Sequence, residues 1–462
     1  MIKLDYNFMM QEHIGAHGMT EEGIKKDLPK IQKALEKVVS NSGKGWQEWT
    51  ELVNTPKKEL DELVKFGADV RKKCEHFVVF GIGGSGLGPL AVASALLHFR
   101  HNELPKEKRN APKYYIEDNI DPNRMAGLLD VIDIKTSYFN VITKSGETSE
   151  TLSQFFIVYE TLKKVLGEKE AKERIIVTTT VGKGTLYEIA KKEGFRIFDI
   201  GKGVGGRFSV FSNVGLVPFA VLGIDIHSLI DGAKASRTNS EINDISKNVA
   251  LITAYLQVKS MENGKNISVL MPYSDPLKFM ADFYAQLWGE SLAKEVDNDG
   301  NKINCGQSPV KALGTTDQHS QVQLFMEGPF DKVVTFLAVE DYVALAPINE
   351  TLGVENCDFL KGRSLNDLIS AQMKATIFAL KKQNRPSFTL SIEKVNAFSV
   401  GELLQYFMYQ TAFAGAMLNI DTYNQPGVEE GKKATFAMMN RKGYEDKLKE
   451  VEAVKLSKSY QI

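Results

Sequence analysis

Residues 78–89 read V-V-F-G-I-G-G-S-G-L-G-P, and the fold turns on them. Val78, Val79 and Phe80 make a short apolar strand. Gly81 to Gly88 then place five glycines in eight positions around Ser85. Pro89 and the run L-A-V-A-S-A-L-L that follows it are expected to open a helix. Strand, glycine turn and helix in that order make a phosphate cradle. The glycines let backbone N–H groups approach an anion, and the helix N-terminus adds partial positive charge. Gly81, Gly83 and Gly86 also fit the dinucleotide pattern G-x-G-x-x-G. A tight turn that holds nothing is a further reading.

Working outward, strand-like runs recur at 77–80, 113–116, 138–142, 174–178 and 195–200, with helix-like stretches between them. That rhythm predicts an α/β fold: a mostly parallel sheet covered on both faces, with ligands at the carboxyl ends of its strands. The third of these strands ends in T-K-S-G-E-T-S-E-T, residues 143–151, on the same rim as the glycine turn. A second α/β unit is expected from about residue 211. It has helical stretches over 217–260, strands at 267–271, 333–339 and 387–394, and helices at 276–294, 365–383, 399–418 and 434–455. Ile31, Leu35 and Val38 give residues 1–50 helical spacing. The expected organisation is a helical arm (1–50), a first domain (51–210), a second (211–433) and a C-terminal helix (434–462).

The length of 462 residues allows two or three domains at roughly 100–200 residues each. Lys plus Arg number 57 and Asp plus Glu 58, for a net charge of −1. Broad electrostatic attraction to nucleic acid or to an anionic membrane is therefore not expected, and an anionic ligand needs a local site. Cys74, Cys305 and Cys357 lie far apart and form no metal-ligand spacing, so no metal and no cofactor are expected. Sparse cysteines suit a reducing compartment. The start, M-I-K-L-D-Y-N-F, lacks a signal-peptide core. The apolar run Leu216–Ile224 contains Pro218 and is too short to span a bilayer. A cytoplasmic protein is expected.

Several stretches carry chemistry. Thr143, Ser145, Thr148, Ser149 and Thr151 crowd hydroxyls at a strand-to-helix junction. That suits a phosphate monoester, or else simple capping with Ser145 as N-cap. A dinucleotide would want an acidic residue about 20 positions past the glycines. Here Glu117 and Asp118 come about thirty on, and the hydroxyl turn would have no role. A sugar phosphate accounts for both turns. In 203–213, G-V-G-G-R-F-S-V-F-S-N, a glycine pair sets Arg207 close to something it can fork onto, unless it is a surface arginine. Gln286 and Glu290 share a helix face at i, i+4, with Trp288 nearby. A carboxylate against apolar walls would suit a general base, while most helical glutamates are simply solvated. His319, within T-T-D-Q-H-S-Q, is a candidate proton carrier or an ordinary loop residue. Lys432 closes the turn Y-N-Q-P-G-V-E-E-G-K.

Taken together, G-I-G-G-S-G-L-G-P, T-K-S-G-E-T-S-E-T, G-V-G-G-R-F-S, the Gln286–Glu290 pair, D-Q-H-S and Q-P-G-V-E-E-G-K resemble the phosphoglucose isomerase family. The resemblance runs in the family's order from the glycine turn to Lys432. It implies two flavodoxin-like α/β/α sugar-isomerase domains and metal-free aldose–ketose isomerisation of glucose 6-phosphate and fructose 6-phosphate. By resemblance Gly84, Ser85, Thr143, Lys144, Ser145 and Thr148 surround the phosphate, and Gln286 and Gln425 contact the substrate. Glu290 is the base, and Arg207 stabilises the enediolate. His319 and Lys432 open the ring, and Glu150 orients the histidine. The resemblance also implies a homodimer in which His319 serves the partner's site. The long polar segment 296–318 reads as an excursion able to reach a neighbour. Asn424 stands where many relatives have Asp. A relaxed isomerase that also takes mannose 6-phosphate is one alternative. A non-catalytic sugar-phosphate sensor is another, but it would not need Glu290, His319 and Lys432.

Overall fold

Alternation along one strand sets the layers. In β2 (His76–Phe80), Phe77 and Val79 enter one buried cluster, while Val78 and Phe80 enter another. A strand buried on both faces belongs to a sheet with helices on both sides. The computed structural model describes residues 1–461. The chain begins with β1 (Lys3–Asp5) and, after β2, continues with β3 (Lys113–Glu117), β4 (Ser137–Ile142), β5 (Ile175–Thr179) and β6 (Arg196–Asp199). There follow β7 (Ile267–Pro272), the hairpin of β8 (Lys294–Val296) and β9 (Lys302–Cys305), β10 (Ser308–Lys311), β11 (Lys332–Val339), the short pair β12 (Pro347–Ile348) and β13 (Arg363–Ser364), and β14 (Ser387–Ile392).

The first sheet has the order β3-β2-β4-β5-β6 and is parallel throughout. Chain direction across the sheet reverses between β2 and β4. The crevice beyond their carboxyl ends is therefore the place where a ligand fits. The glycine turn leaves β2 there, and the hydroxyl turn leaves β4. The second sheet has the order β1-β14-β11-β7-β10, parallel except for β1. One large apolar cluster takes the inner faces of both sheets, with Phe77, Val79 and Ile176 from the first and Leu270, Val333 and Leu390 from the second. Each sheet covers its outer face with its own smaller cluster. The α/β class and the mostly parallel sheets expected from sequence are what the structure has.

Four local expectations need correction. The helix after β2 spans Gly84–Leu96 and does not wait for Pro89. Gly83 takes φ 57°, ψ −125°, which a glycine adopts freely, and its carbonyl accepts from the amides of Gly86 and Leu87. Within 1–50 only part is helical. Lys3–Asp5 pairs antiparallel with β14, and the long helix is Glu21–Ser40. The segment 296–318 holds the β8–β9 hairpin and β10, an edge strand whose Pro309 hid it from a pattern reading. The C-terminal helix is two, Glu429–Met438 and Glu445–Glu452, separated where Asn440 and Gly443 take positive φ.

The helices Ile226–Ser240 and Ala397–Met417 cross at a distance that only glycine permits. A Cβ on Gly232 would stand 1.8 Å from the Phe398 carbonyl oxygen, and one on Gly401 would stand 1.9 Å from that of Leu229. Neither obstacle is a flexible side chain, so the backbones must part. Gly232→Ala and Gly401→Ala should each destabilise the fold by about 1–3 kcal/mol. The midpoint of denaturant unfolding measures it, and midpoints equal to wild type would show that this crossing is not close-packed.

Candidate active site

A cavity of about 740 Å³ opens at the crevice between β2 and β4. Its walls include Gly84 and Ser85 from the glycine turn, Thr143, Lys144, Ser145 and Thr148 from the hydroxyl turn, and Gln425 from the Pro-Gly loop. The hydroxyl turn is set before any ligand arrives. The Thr143 and Thr148 hydroxyls lie 2.6 Å apart, and the Ser145 hydroxyl accepts from the Glu147 amide at 3.2 Å. The Thr179 hydroxyl donates to the Thr143 carbonyl at 2.6 Å. Helix capping is not their use. The N-cap of the helix Ser149–Glu173 is Thr148, and its side chain makes no capping bond. Hydroxyls gathered beside a helix N-terminus are suited to an anion.

Two glycines bring the glycine turn against the rest of the site. A Cβ on Gly84 would lie 2.2 Å from the Gly206 carbonyl, and one on Gly83 would lie 2.9 Å from Gln286 Nε2. The glycine turn is thus wedged between the arginine turn Gly206–Phe208 and the helix Lys278–Leu292. Arg207 is 5% exposed. Its Nε donates to Ser291 Oγ (2.7 Å), and one terminal nitrogen donates to Glu290 (3.3 Å) and Gln425 Oε1 (2.9 Å). The other donates to the carbonyls of Thr422 (2.7 Å) and Asn424 (3.2 Å). Burial pulls the guanidinium below its ordinary value, while Glu290 and Asp421 oppose that shift. Gln286 Nε2 donates to the other Glu290 oxygen at 3.2 Å. The chain Gln286–Glu290–Arg207–Gln425 therefore joins the carboxylate to the cavity wall.

The carboxylate does not lie against apolar walls, as the neighbouring Trp288 suggested. Trp288 is buried and stacks on Tyr284, turned away because i and i+2 do not share a helix face. Glu290 is instead held by Arg207 and Gln286. At Asn424 it is the backbone carbonyl, not the side chain, that receives the arginine.

Arg207, Gln286 and Glu290 do not line the cavity themselves and reach its wall through Gln425; three further expected residues stand apart from this chain of contacts as well. His319 is exposed, on the turn after β10, and does not line the cavity. Lys432 is exposed on the helix Glu429–Met438 and pairs with Glu429, a cavity residue, at 2.8 Å. Glu150 is half-buried on the first turn of its helix, outside the cavity lining. The structure also supplies residues that the sequence reading did not single out. Trp46, Lys183 and Lys202 line the cavity, and the Lys144 ammonium sits 4.1 Å from the Trp46 ring centre. An aromatic residue in the polar stretch G-K-G-W was the available signal. Among the described residues no group of three or more His, Cys, Asp or Glu is placed to hold a metal ion, and no helix is long and apolar enough to cross a membrane.

The family model described as phosphoglucose isomerase matches residues 30–454. The chain is 47% identical over 457 residues to the glucose-6-phosphate isomerase of Carboxydothermus hydrogenoformans, covering 98% of each. It is 40% identical to that of Rubrobacter xylanophilus, covering 96% of this chain and 99% of the relative. Among solved structures, a hypothetical protein from Thermus thermophilus superposes with a TM-score of 0.85 at 32% identity. That match covers 95% of this chain and all of the other.

Burial, reinforced by Lys183, pulls the Lys144 ammonium down to about 8. Only the protonated form attracts a phosphate. Affinity for a phosphate monoester should therefore be intact below pH 8 and fall above it, by up to about tenfold per unit where the ammonium alone binds. Lys144→Met should bind more weakly at pH 7 and show no such fall. Titration calorimetry at several pH values measures both. A wild-type affinity that is flat from pH 7 to 9.5 would separate Lys144 from the phosphate.

Proposed function

The chain belongs to the phosphoglucose isomerase family, and we propose how its cavity carries out the reaction. It is an aldose–ketose isomerase that interconverts D-glucose 6-phosphate and D-fructose 6-phosphate, a step of glycolysis and gluconeogenesis. One observation carries the mechanistic reading. The buried Arg207 guanidinium is shared between the Glu290 carboxylate and Gln425, at a cavity with hydroxyls and a lysine on another wall.

The phosphate docks on Ser85, Ser145 and Thr148, with Gly84 and Thr143 beside it and Lys144 supplying charge. His319 and Lys432 move a proton between the anomeric hydroxyl and the ring oxygen, breaking the C1–O5 bond to open the ring. Glu290 takes the C2 proton, leaving a cis-enediolate. Arg207 opposes the new negative charge with donors already in place. A proton passes from O2 to O1, Glu290 returns its proton to C1, and the ketose forms with its carbonyl at C2. Gln286 and Gln425 hold the carboxylate and the arginine from either side. We place the protein in the cytoplasm, a compartment that three free cysteines suit.

The assembly is part of the proposal. We assign a homodimer in which the partner's His319 completes this site beside Glu150. Two features support it. His319 is exposed and stands apart from the cavity of its own chain. An apolar groove also lies beside Thr315, near residues such as Val343 and Leu345 that are 87% and 74% exposed. Such a surface is typical of a face that meets another protein.

Glu290→Gln keeps the shape and cannot accept a proton. It should lower turnover by about 10²- to 10⁴-fold. It should also abolish exchange of the C2 hydrogen with solvent and leave sugar-phosphate affinity within a few-fold. Exchange at the wild-type rate, followed by NMR in deuterated water, would place the base elsewhere.

His319→Ala and Glu290→Gln should each be nearly inactive alone. Random re-pairing in equal amounts makes about half the dimers mixed, and one of the two sites in each is then intact. About a quarter of wild-type activity should therefore return. A histidine serving its own chain restores none, because every site keeps one lesion.

A further inference from the structure

Lys294 is a buried cation that the mechanism above leaves unused. It is 7% exposed, four residues past Glu290, at the first position of the β8–β9 hairpin. Its Nζ donates to the carbonyls of Glu290 (2.8 Å) and Ser291 (2.7 Å) in the last turn of the helix Lys278–Leu292. Those carbonyls have no partner within the helix and carry the negative end of its dipole. On the other side, Arg207 holds the same two residues by their side chains, Ser291 at 2.7 Å and Glu290 at 3.3 Å. The residue that carries the carboxylate is therefore gripped twice, by backbone from Lys294 and by side chain from Arg207.

Burying an ammonium costs several kcal/mol unless its surroundings answer it. An uncharged donor would satisfy two carbonyls at lower cost, so the charge calls for an explanation. The groups that face it come from four elements: Glu290 from its helix, Arg207 from the arginine turn, Asp421 from the loop after Ala397–Met417, and Cys305 across the hairpin. Gln286, which faces Glu290 on its own helix, is neutral. Glu290 and Asp421 thus balance two cations. Burial, with Arg207 adding to it, brings the Lys294 ammonium down to about 8, so it is still mainly charged at neutral pH.

We propose that Lys294 is a positioning residue of the isomerisation, fixing the last turn of the helix and with it the Glu290 carboxylate that accepts the proton. It touches no substrate. The proposal rests on the reading of Glu290 as base. The helix end, held by Lys294, keeps the carboxylate in place against Arg207.

The test compares Lys294→Met, Lys294→Gln and Lys294→Arg in kcat and KM for fructose 6-phosphate, with Glu290→Gln beside them. Lys294→Arg, which keeps a cationic donor for the two carbonyls, should stay close to wild type. At neutral pH kcat should fall by about tenfold or more in Lys294→Met. KM should change little, because the phosphate wall is untouched. The glutamine variant keeps a donor, so it serves where the methionine one fails to fold. A kcat and KM both at wild-type values in the methionine variant, or in the glutamine variant where that one fails to fold, with only the thermal midpoint lowered, would reduce Lys294 to a helix cap and overturn the proposal. Retained C2 exchange in Glu290→Gln would instead overturn the assignment of the base.

Discussion

Burying a guanidinium is the constraint on which the site depends. Taken from water without partners, such a group would be among the most expensive in the molecule. Arg207 is made tolerable by partners on two stretches far apart in the chain, Glu290 and Ser291, then Thr422, Asn424 and Gln425, both meeting the turn Gly206–Phe208. Remove either stretch and a buried charge is left short of acceptors. The arginine therefore acts as the joint that fixes the base helix and the Pro-Gly loop relative to the first sheet. Contact explains the glycine on the facing turn: a Cβ on Gly84 would stand 2.2 Å from the Gly206 carbonyl, while one on Gly206 itself would meet nothing within 4 Å.

What the sequence made legible follows from locality. The glycine turn, the hydroxyl turn and the parallel strands of the first sheet are written in contiguous residues, and their ends agree with the structure to within a residue or two. The Gln286–Glu290 pair was legible for the same reason, since one helix face sets both. What escaped depended on contacts made across the chain. Lys3–Asp5 is a strand only because β14 is there to receive it, and three residues carry no pattern of their own. Ser308–Lys311 carries a proline, which an edge position tolerates. The helix beginning at Gly84 looked improbable because glycine disfavours helix, yet tertiary contact with Gly206 outweighs a propensity cost of about 1 kcal/mol per residue. Lys294 was in view as E-S-L-A-K, but an i, i+4 lysine reads as a solvated partner until burial turns it inward.

The site also divides by burial. Groups assigned to carbon chemistry lie in or against the core, while two assigned to binding, Ser145 and Gln425, are exposed. Thr143, Arg207 and Lys294 are buried, and Gln286 and Glu290 sit on a helix whose inner face carries Tyr284 and Trp288. Groups assigned to ring opening, His319 and Lys432, are exposed. The two kinds of step have different demands. A proton on C2 is held by a weak acid, and its removal leaves charge that must be met at once. That step needs donors fixed beforehand in a dry place, and any reorganisation adds to the barrier.

Proton transfer between two sugar oxygens asks less. Oxygen acids exchange protons readily once a carrier of suitable pKa is within reach, directly or through one water. A histidine and a lysine on the surface of the fold can serve there without the support that Glu290 receives. This is also the half of the reaction that, in the proposed dimer, a second chain would complete without disturbing the core. The buried half is joined through Arg207 to the helix Lys278–Leu292 and the Pro-Gly loop of the same chain. The exposed half lies on the surface. The division of chemistry between carbon and oxygen is thus matched by a division between what one chain folds around and what it presents.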